Sequence, residues 1–152
     1  MVATSWASSE HSRAVMRGNR GRDTAPELAV RRLLHASGLR YRVHQRPLRE
    51  LRRTADIVFS RKRIAVFIDG CYWHGCPAHH VQPKANGDYW AAKIAANVTR
   101  DRDTDSELVA AGWKVLRFWS HESPHDVCLR VRAAVLAAPR TGAETPRQRQ
   151  RP

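Results

Sequence analysis

The run Gly70-Cys71-Tyr72-Trp73-His74-Gly75-Cys76-Pro77-Ala78-His79-His80 places metal ligands and aromatic rings within eleven residues. Cys71, Cys76 and His79 follow a Cys-x4-Cys-x2-His spacing, which suits the thiolate and imidazole donors that zinc takes in tetrahedral sets. A fourth donor must come from elsewhere. His121, just past Trp119-Ser120, is the best candidate, and His80 is its competitor. Three local ligands and one distant ligand would staple the loop to the body of the fold. His74 lies inside the spacing but off the ligand pattern, so two readings stand. Either it is a ligand in place of Cys76 or His79, or it is a neutral imidazole that deprotonates an attacking water. In the second reading Asp101 is the candidate carboxylate that fixes its tautomer.

Asp56 opens an otherwise apolar stretch, Thr54-Ala55-Asp56-Ile57-Val58-Phe59. A carboxylate there is costly to bury unless it is paired or metal-bound. With Asp69 at the end of the next apolar stretch, it could hold a hard divalent cation such as magnesium, which favours one or two carboxylates, a carbonyl and water. The plainer alternative is a turn cap near Arg52 and Arg53. Tyr72, Trp73 and Trp90 admit two roles as well. Trp residues are mostly core, as expected here for Trp113 and Trp119, but rings held outward by a rigid loop can stack on bases or wedge between them. Cys128 reads as a small buried hydrophobe. Glu27 has a local explanation in Thr24-Ala25-Pro26-Glu27, which matches a helix capping box.

These groups need a frame. The chain has 152 residues, enough for one domain with a real core. Its net charge is +13, from 27 Lys+Arg against 14 Asp+Glu, and only four of the 27 are lysines. Arginine's planar fork suits phosphates and guanine edges, although a high-GC genome enriches arginine too. Residues 1–22 and 140–152 each carry +3, which leaves +7 on the body between them. Such a body should attract polyanions in a salt-dependent way. Three cysteines are too few for a disulfide scaffold, and no apolar run suggests a membrane span or a signal peptide, so a reducing cytoplasmic setting is expected.

The local signals order the elements. Residues 1–15 read as a flexible N-terminal arm, 16–138 as the folded domain and 139–152 as a disordered basic tail. Pro26 starts a helix with Leu28, Leu33 and Leu34 on its apolar face, and Gly38 stops it. Arg40–His44, Ala55–Ser60 and Arg63–Ile68 read as strands, the last two as a hairpin over a short basic turn. Tyr89 to about Ala111 reads as a helix with Trp90, Ile94, Val98, Leu108 and Val109 as its apolar positions. Trp113–Trp119 is a fourth strand and Asp126–Ala138 a last helix. The order α-β-β-β-α-β-α predicts a layered α/β domain on a mixed sheet.

From about Met16 to Glu122 the chain resembles the very short patch repair endonucleases, bacterial enzymes that nick DNA at T:G mismatches. The matching motifs are Met16-Arg17, Arg22-Asp23-Thr24-Ala25-Pro26-Glu27, Gly38-Leu39-Arg40-Tyr41-Arg42 and Ala55-Asp56-Ile57-Val58. They continue through Phe67-Ile68-Asp69 and the Cys/His loop to Pro77, then Tyr89–Lys93, Asn97–Asp101 and Gly112–Leu116. The resemblance implies a restriction-endonuclease-like core, mixed β-sheet flanked by helices, with catalytic Mg2+ and structural Zn2+. It implies that Asp56 and the Ile68 main-chain carbonyl hold magnesium, that His74 is the catalytic histidine, that Asp101 assists it and that Glu27 is a further active-site acid. Zinc would fall on Cys71, Cys76, His79 and His121. Tyr72, Trp73 and Trp90 would intercalate, opposite an arm around Met16 lying in the minor groove.

The chain departs from the family pattern at Leu51-Arg52-Arg53-Thr54-Ala55, where many members have a Pro-Gly pair upstream and a Pro before the aspartate. It also has Ile68-Asp69 where some members have Thr-His, so Asp69 adds a charge near the metal. The function implied is a monomeric, magnesium-dependent endonuclease that nicks 5′ of the T in T:G mismatches, repairing deaminated 5-methylcytosine. Its partner would be mismatched double-stranded DNA, with mismatch-repair proteins and a cytosine methyltransferase as further candidates. Two rival expectations are a related nuclease that cuts paired DNA in host defence, and a zinc-stapled DNA-binding module without catalysis.

Overall fold

A computed structural model describes residues 21–79 and 84–141. Met16, His80, the arm over 1–15 and most of the basic tail lie outside the described residues. Helix α1 (Ala25–Ala36) begins at Thr24 with Pro26 in its first turn. It buries Glu27, Val30 and Leu34, while the expected face residues Leu28 and Leu33 are only half-buried. Strand β1 (Arg42–Gln45) starts two residues later than expected. Strands β2 (Ala55–Phe59) and β3 (Ile64–Asp69) form the expected hairpin over a 3-10 turn at Ser60–Lys62. Helix α2 (Gly87–Ala110) crosses to strand β4 (Lys114–Trp119), and helix α3 (Pro124–Ala137) closes the order.

The four strands lie in the order β1-β2-β3-β4, antiparallel except for the parallel β3–β4 pair. A parallel pair needs a crossover, and the 24 residues of α2 supply it. Gly38 and Gly112 end α1 and α2 at positive φ. In each case the next residue's N–H bonds back to the penultimate turn: Leu39 N to Leu34 O at 3.1 Å, and Trp113 N to Leu108 O at 2.9 Å.

Helices α1 and α3 cover one sheet face around Leu34, Ile57, Ile64, Val66 and Val131, with Cys128 buried among them. Helix α2 covers the other face, where Leu108 meets Ala55, Val58, Ala65 and Phe67. The sheet is thus buried on both sides, which explains the near-continuous apolar runs of β2 and β3. Two core expectations change. Val109 is 61% exposed and Thr104 takes the buried position, because the buried line of α2 runs Trp90, Ile94, Thr104 and Leu108. Trp113 and Trp119 are only half-buried: Trp119 ends the edge strand β4, and Trp113 precedes that strand and packs partly against the Leu108 cluster. At the start of the tail, Thr141 N donates to Arg61 O at 2.8 Å. Among the described residues no helix is long and apolar enough to cross a membrane.

Candidate active site and metal centre

Strands β2 and β3 stop pairing at Ile57 and Val66. Continued in register, Ile68 would face Ala55. Instead the Ile68 N–H donates to Asp56 Oδ2 at 2.7 Å, so a side chain replaces the ladder where the strands part. That gap opens a cleft of about 580 Å³ lined by Glu27, Asp56, Ile68, His74 and Asp101. The five residues expected to serve magnesium and catalysis, distant in sequence, therefore share one cavity. Burial pushes the Asp56 carboxyl up to about 6, and the negative charges of Glu27 and Asp69 add to this against the pull of the Ile68 hydrogen bond.

Glu27 does not form the reciprocal capping box expected from its sequence. Its carboxylate accepts the Thr24 hydroxyl at 3.0 Å, the Asp23 N–H at 2.9 Å and Arg31 Nη2 at 2.9 Å. The Thr24 hydroxyl donates instead of accepting, and Glu27 is 3% exposed. Its local spacing described a cap, and its buried carboxylate also lines the cleft.

His74 Nδ1 lies 2.6 Å from Asp101 Oδ2. An ionised carboxylate accepts only, so Nδ1 donates to Asp101, and a neutral ring held this way keeps its acceptor at Nε2. His74 groups with Asp69 and Asp101, whereas Cys71, Cys76, His79 and His121 form a separate group. The loop carrying it is bent by Cys76 N to Cys71 O at 3.0 Å and tied to the end of β4 by Cys71 N to Ser120 Oγ at 3.3 Å.

Arg117 is the residue that sequence reasoning missed. Its Nη1 meets both oxygens of Asp69 at 3.0 and 2.9 Å, and its Nε meets both oxygens of Asp105 at 2.8 and 2.9 Å. Its Nη2 reaches the Asp101 carbonyl at 3.5 Å, and its guanidinium lies 4.2 Å over the Phe67 ring. Burial raises the Asp69 carboxyl above its usual range against the pull of Arg117 and His74. Asp69 is thus matched by a cation while it lines the same cleft as Asp56. The available signal was Arg117 itself, a charge within the apolar strand Lys114–Trp119.

Cys71, Cys76, His79 and His121 bring one ligand atom each within 4.8 Å of one another. Cys71 Sγ is 3.1 Å from His121 Nδ1, Cys76 Sγ is 3.6 Å from the same nitrogen, and Cys76 Sγ is 3.8 Å from His79 Nδ1. Tetrahedral zinc with its usual bond lengths sets ligand–ligand edges of about 3.3–3.8 Å, so the donor set fits zinc.

Tyr72, Trp73 and Trp90 meet edge to face, with centroids 4.9 Å apart for Tyr72–Trp73 and 5.7 Å for Trp73–Trp90. Tyr89 extends the cluster at 5.2 Å from Trp90 and was not singled out by the sequence. Trp90 is buried, whereas Tyr72 and Trp73 are half-buried at the surface. Lys93 Nζ lies 5.4 Å over Trp90 and 5.8 Å over Trp73, adding a cation beside the rings. Asn97 Nδ2 donates to the Trp73 carbonyl at 2.9 Å and pins the loop to α2.

Parted central strands bearing a carboxylate and a histidine–aspartate pair, on a basic mixed α/β domain, suit a class of protein that cuts nucleic acid. The chain matches the family described as DNA mismatch endonuclease Vsr over residues 6–81. It is 45% identical over 118 residues to the type II nicking enzyme V.NaeI of Lentzea aerocolonigenes, covering 76% of this chain and 71% of that protein. It is 42% identical over 120 residues to the type II nicking enzyme V.XorIIP of Xanthomonas oryzae pv. oryzae, covering 78% and 86%. Identity with the DNA mismatch endonuclease Vsr of Escherichia coli is 37% over 108 residues, covering 68% and 65%. The chain belongs to the Vsr DNA mismatch endonuclease family.

Proposed function

We propose that this protein is a magnesium-dependent, strand-specific DNA endonuclease that nicks 5′ of the thymine in T:G mismatches. The observation that carries the reading is the shared cleft, in which Asp56 and Ile68 stand with His74, Asp101 and Glu27. Asp56 and the Ile68 carbonyl would hold magnesium, a hard cation that polarises the phosphate and stabilises the leaving oxygen when bound. His74 Nε2 takes the proton of an attacking water, and Asp101 holds the imidazole and balances the charge it gains. Cys71, Cys76, His79 and His121 would hold a structural zinc that fixes the loop between catalysis and recognition. Tyr72, Trp73 and Trp90 wedge beside the T:G pair, where unstacking is cheapest.

One observation favours a second reading. Two of the relatives with higher identity than the Escherichia coli mismatch endonuclease are named type II nicking enzymes. In that reading the protein nicks paired DNA, or serves host defence. Nicking rates on T:G and fully paired duplexes of one sequence, with magnesium and with chelator, separate the two. Faster nicking of the T:G duplex, abolished by Asp56→Ala, supports mismatch repair. Faster cutting of the paired duplex supports the second reading, and activity unaffected by Asp56→Ala rejects both.

A further inference from the structure

The end of the sheet opposite the cleft carries a different surface. A hollow of about 490 Å³ lies where β2 ends, and Arg40, Arg42, Arg61, Lys62 and Arg140 line it. A neighbouring hollow shares Lys62 and adds Arg63 and Lys114. No Asp or Glu lines either hollow. Among the described residues, none of these seven cations is paired with a carboxylate, although Arg31, Arg117 and Arg130 elsewhere are.

The cations are set by backbone. Arg42 opens β1 opposite Val58 of β2. Arg61 and Lys62 occupy the β2–β3 turn, and Lys62 Nζ donates to the Ala138 carbonyl. Thr141 donates through N and Oγ1 to the Arg61 carbonyl at 2.8 and 2.9 Å, which seats Arg140 beside the same hollow. The sequence that follows, residues 142–152, adds three arginines and one glutamate. Like charges gathered without counter-charge repel one another, and a polyanion relieves this while releasing its own condensed counterions.

We propose that this groove binds the phosphodiester backbone of a second DNA segment while the catalytic cleft holds the first. Four of the five lining cations are arginines, whose planar forks suit phosphate oxygens. The groove sits at the start of β3 and the cleft at its end, roughly 17 Å apart at the usual strand rise. The two sites thus lie at opposite ends of the β2–β3 hairpin, so a second segment can be held without displacing the first. The proposal goes beyond the catalytic reading and stands independently of which DNA is cut.

The test uses the full chain in chelator with two differently labelled, fully paired short duplexes, and measures co-capture and complex mass. Wild type forms a complex of one protein with both duplexes at low salt. The quadruple variant Arg40→Gln/Arg42→Gln/Arg61→Gln/Arg140→Gln holds one duplex, and its total binding loses about 3 to 4 units of the slope of log K against log salt. Its nicking of a short cleavable duplex stays within twofold of wild type, and the matching quadruple Lys variant keeps the second duplex. One duplex per wild-type chain at all salts overturns the proposal. Undiminished co-capture by the Gln variant overturns it too, as does saturation of the groove by a polyglutamate peptide without any second duplex. Absence of nicking with intact co-capture would instead count against the catalytic reading alone.

Discussion

Arg117 Nη1 on β4 lies 3.0 and 2.9 Å from the two oxygens of Asp69 at the end of β3. The two residues meet diagonally across the parallel β3–β4 pair, in which Arg117 is opposite Phe67 and Asp69 opposite Trp119. Asp69 is 11% and Arg117 20% exposed as side chains, so neither charge is well served by water alone. The pair lets an extra acid stand near Asp56 without adding its full charge to the cleft.

Arg117→Met leaves Asp69 and Asp105 without that cation. Removing one partner of a largely buried pair costs about 3 kcal/mol, read as a lower midpoint in thermal or urea unfolding. The double variant Asp69→Asn/Arg117→Met recovers more than half of the loss. A single variant as stable as wild type would show that the pair contributes nothing.

Asp56 sets a pH dependence. Burial favours its protonated form, with the carboxyl at about 6 against an ordinary 3.8. A raised carboxyl contributes stability that is complete below pH 3.8 and lost as pH rises through 6. At neutral pH the ionised group therefore costs roughly 3 kcal/mol in metal-free protein. Asp56→Asn removes the charge and keeps an acceptor for the Ile68 N–H. In chelator its Tm exceeds that of wild type at pH 7.5, and the gap closes between pH 6 and 4. A gap that is constant with pH contradicts this account.

The Cys/His group predicts one zinc per chain, measured by elemental analysis of protein purified without chelator. His79→Ala and His121→Ala lose zinc and unfold at lower temperature, while His80→Ala retains it. Retention by His79→Ala with loss in His80→Ala would reassign the third ligand.

Asp101→Asn keeps the shape of the carboxylate but not its charge. A misoriented general base costs about 10²- to 10⁴-fold in rate. Single-turnover nicking is expected to fall by that range while duplex affinity, read by anisotropy, changes less than threefold. An equal loss in both would make Asp101 a binding residue.

What the sequence disclosed was local. The hairpin of β2 and β3 was legible because both strands are short apolar runs around a basic turn, and Gly38 and Gly112 marked where α1 and α2 had to stop. The Cys/His spacing was legible for the same reason. The local pattern of Glu27 disclosed only a cap, and its place beside Asp56 entered through the resemblance, because that burial depends on strands that begin some 28 residues later. Arg117 was missed because its acids come from the end of β3 and from α2, at sequence separations of 48 and 12. Trp113 and Trp119 were assigned to the core by residue type, but Trp119 ends an edge strand and Trp113 lies just before it, positions that no residue type announces.

Helix α2 carries Trp90, Lys93, Asn97 and Asp101 on one uninterrupted rod, so the ring cluster and the partner of His74 share a single backbone. Eleven residues at the α-helical rise put Trp90 and Asp101 about 16 Å apart, and neither can shift along the rod without the other. One inserted residue between them would swing Asp101 by about 100° away from His74 even if every named side chain were kept. The phase of α2 therefore fixes the ring cluster and the His74–Asp101 pair relative to one another, and length can be added before Gly87 without changing that relation.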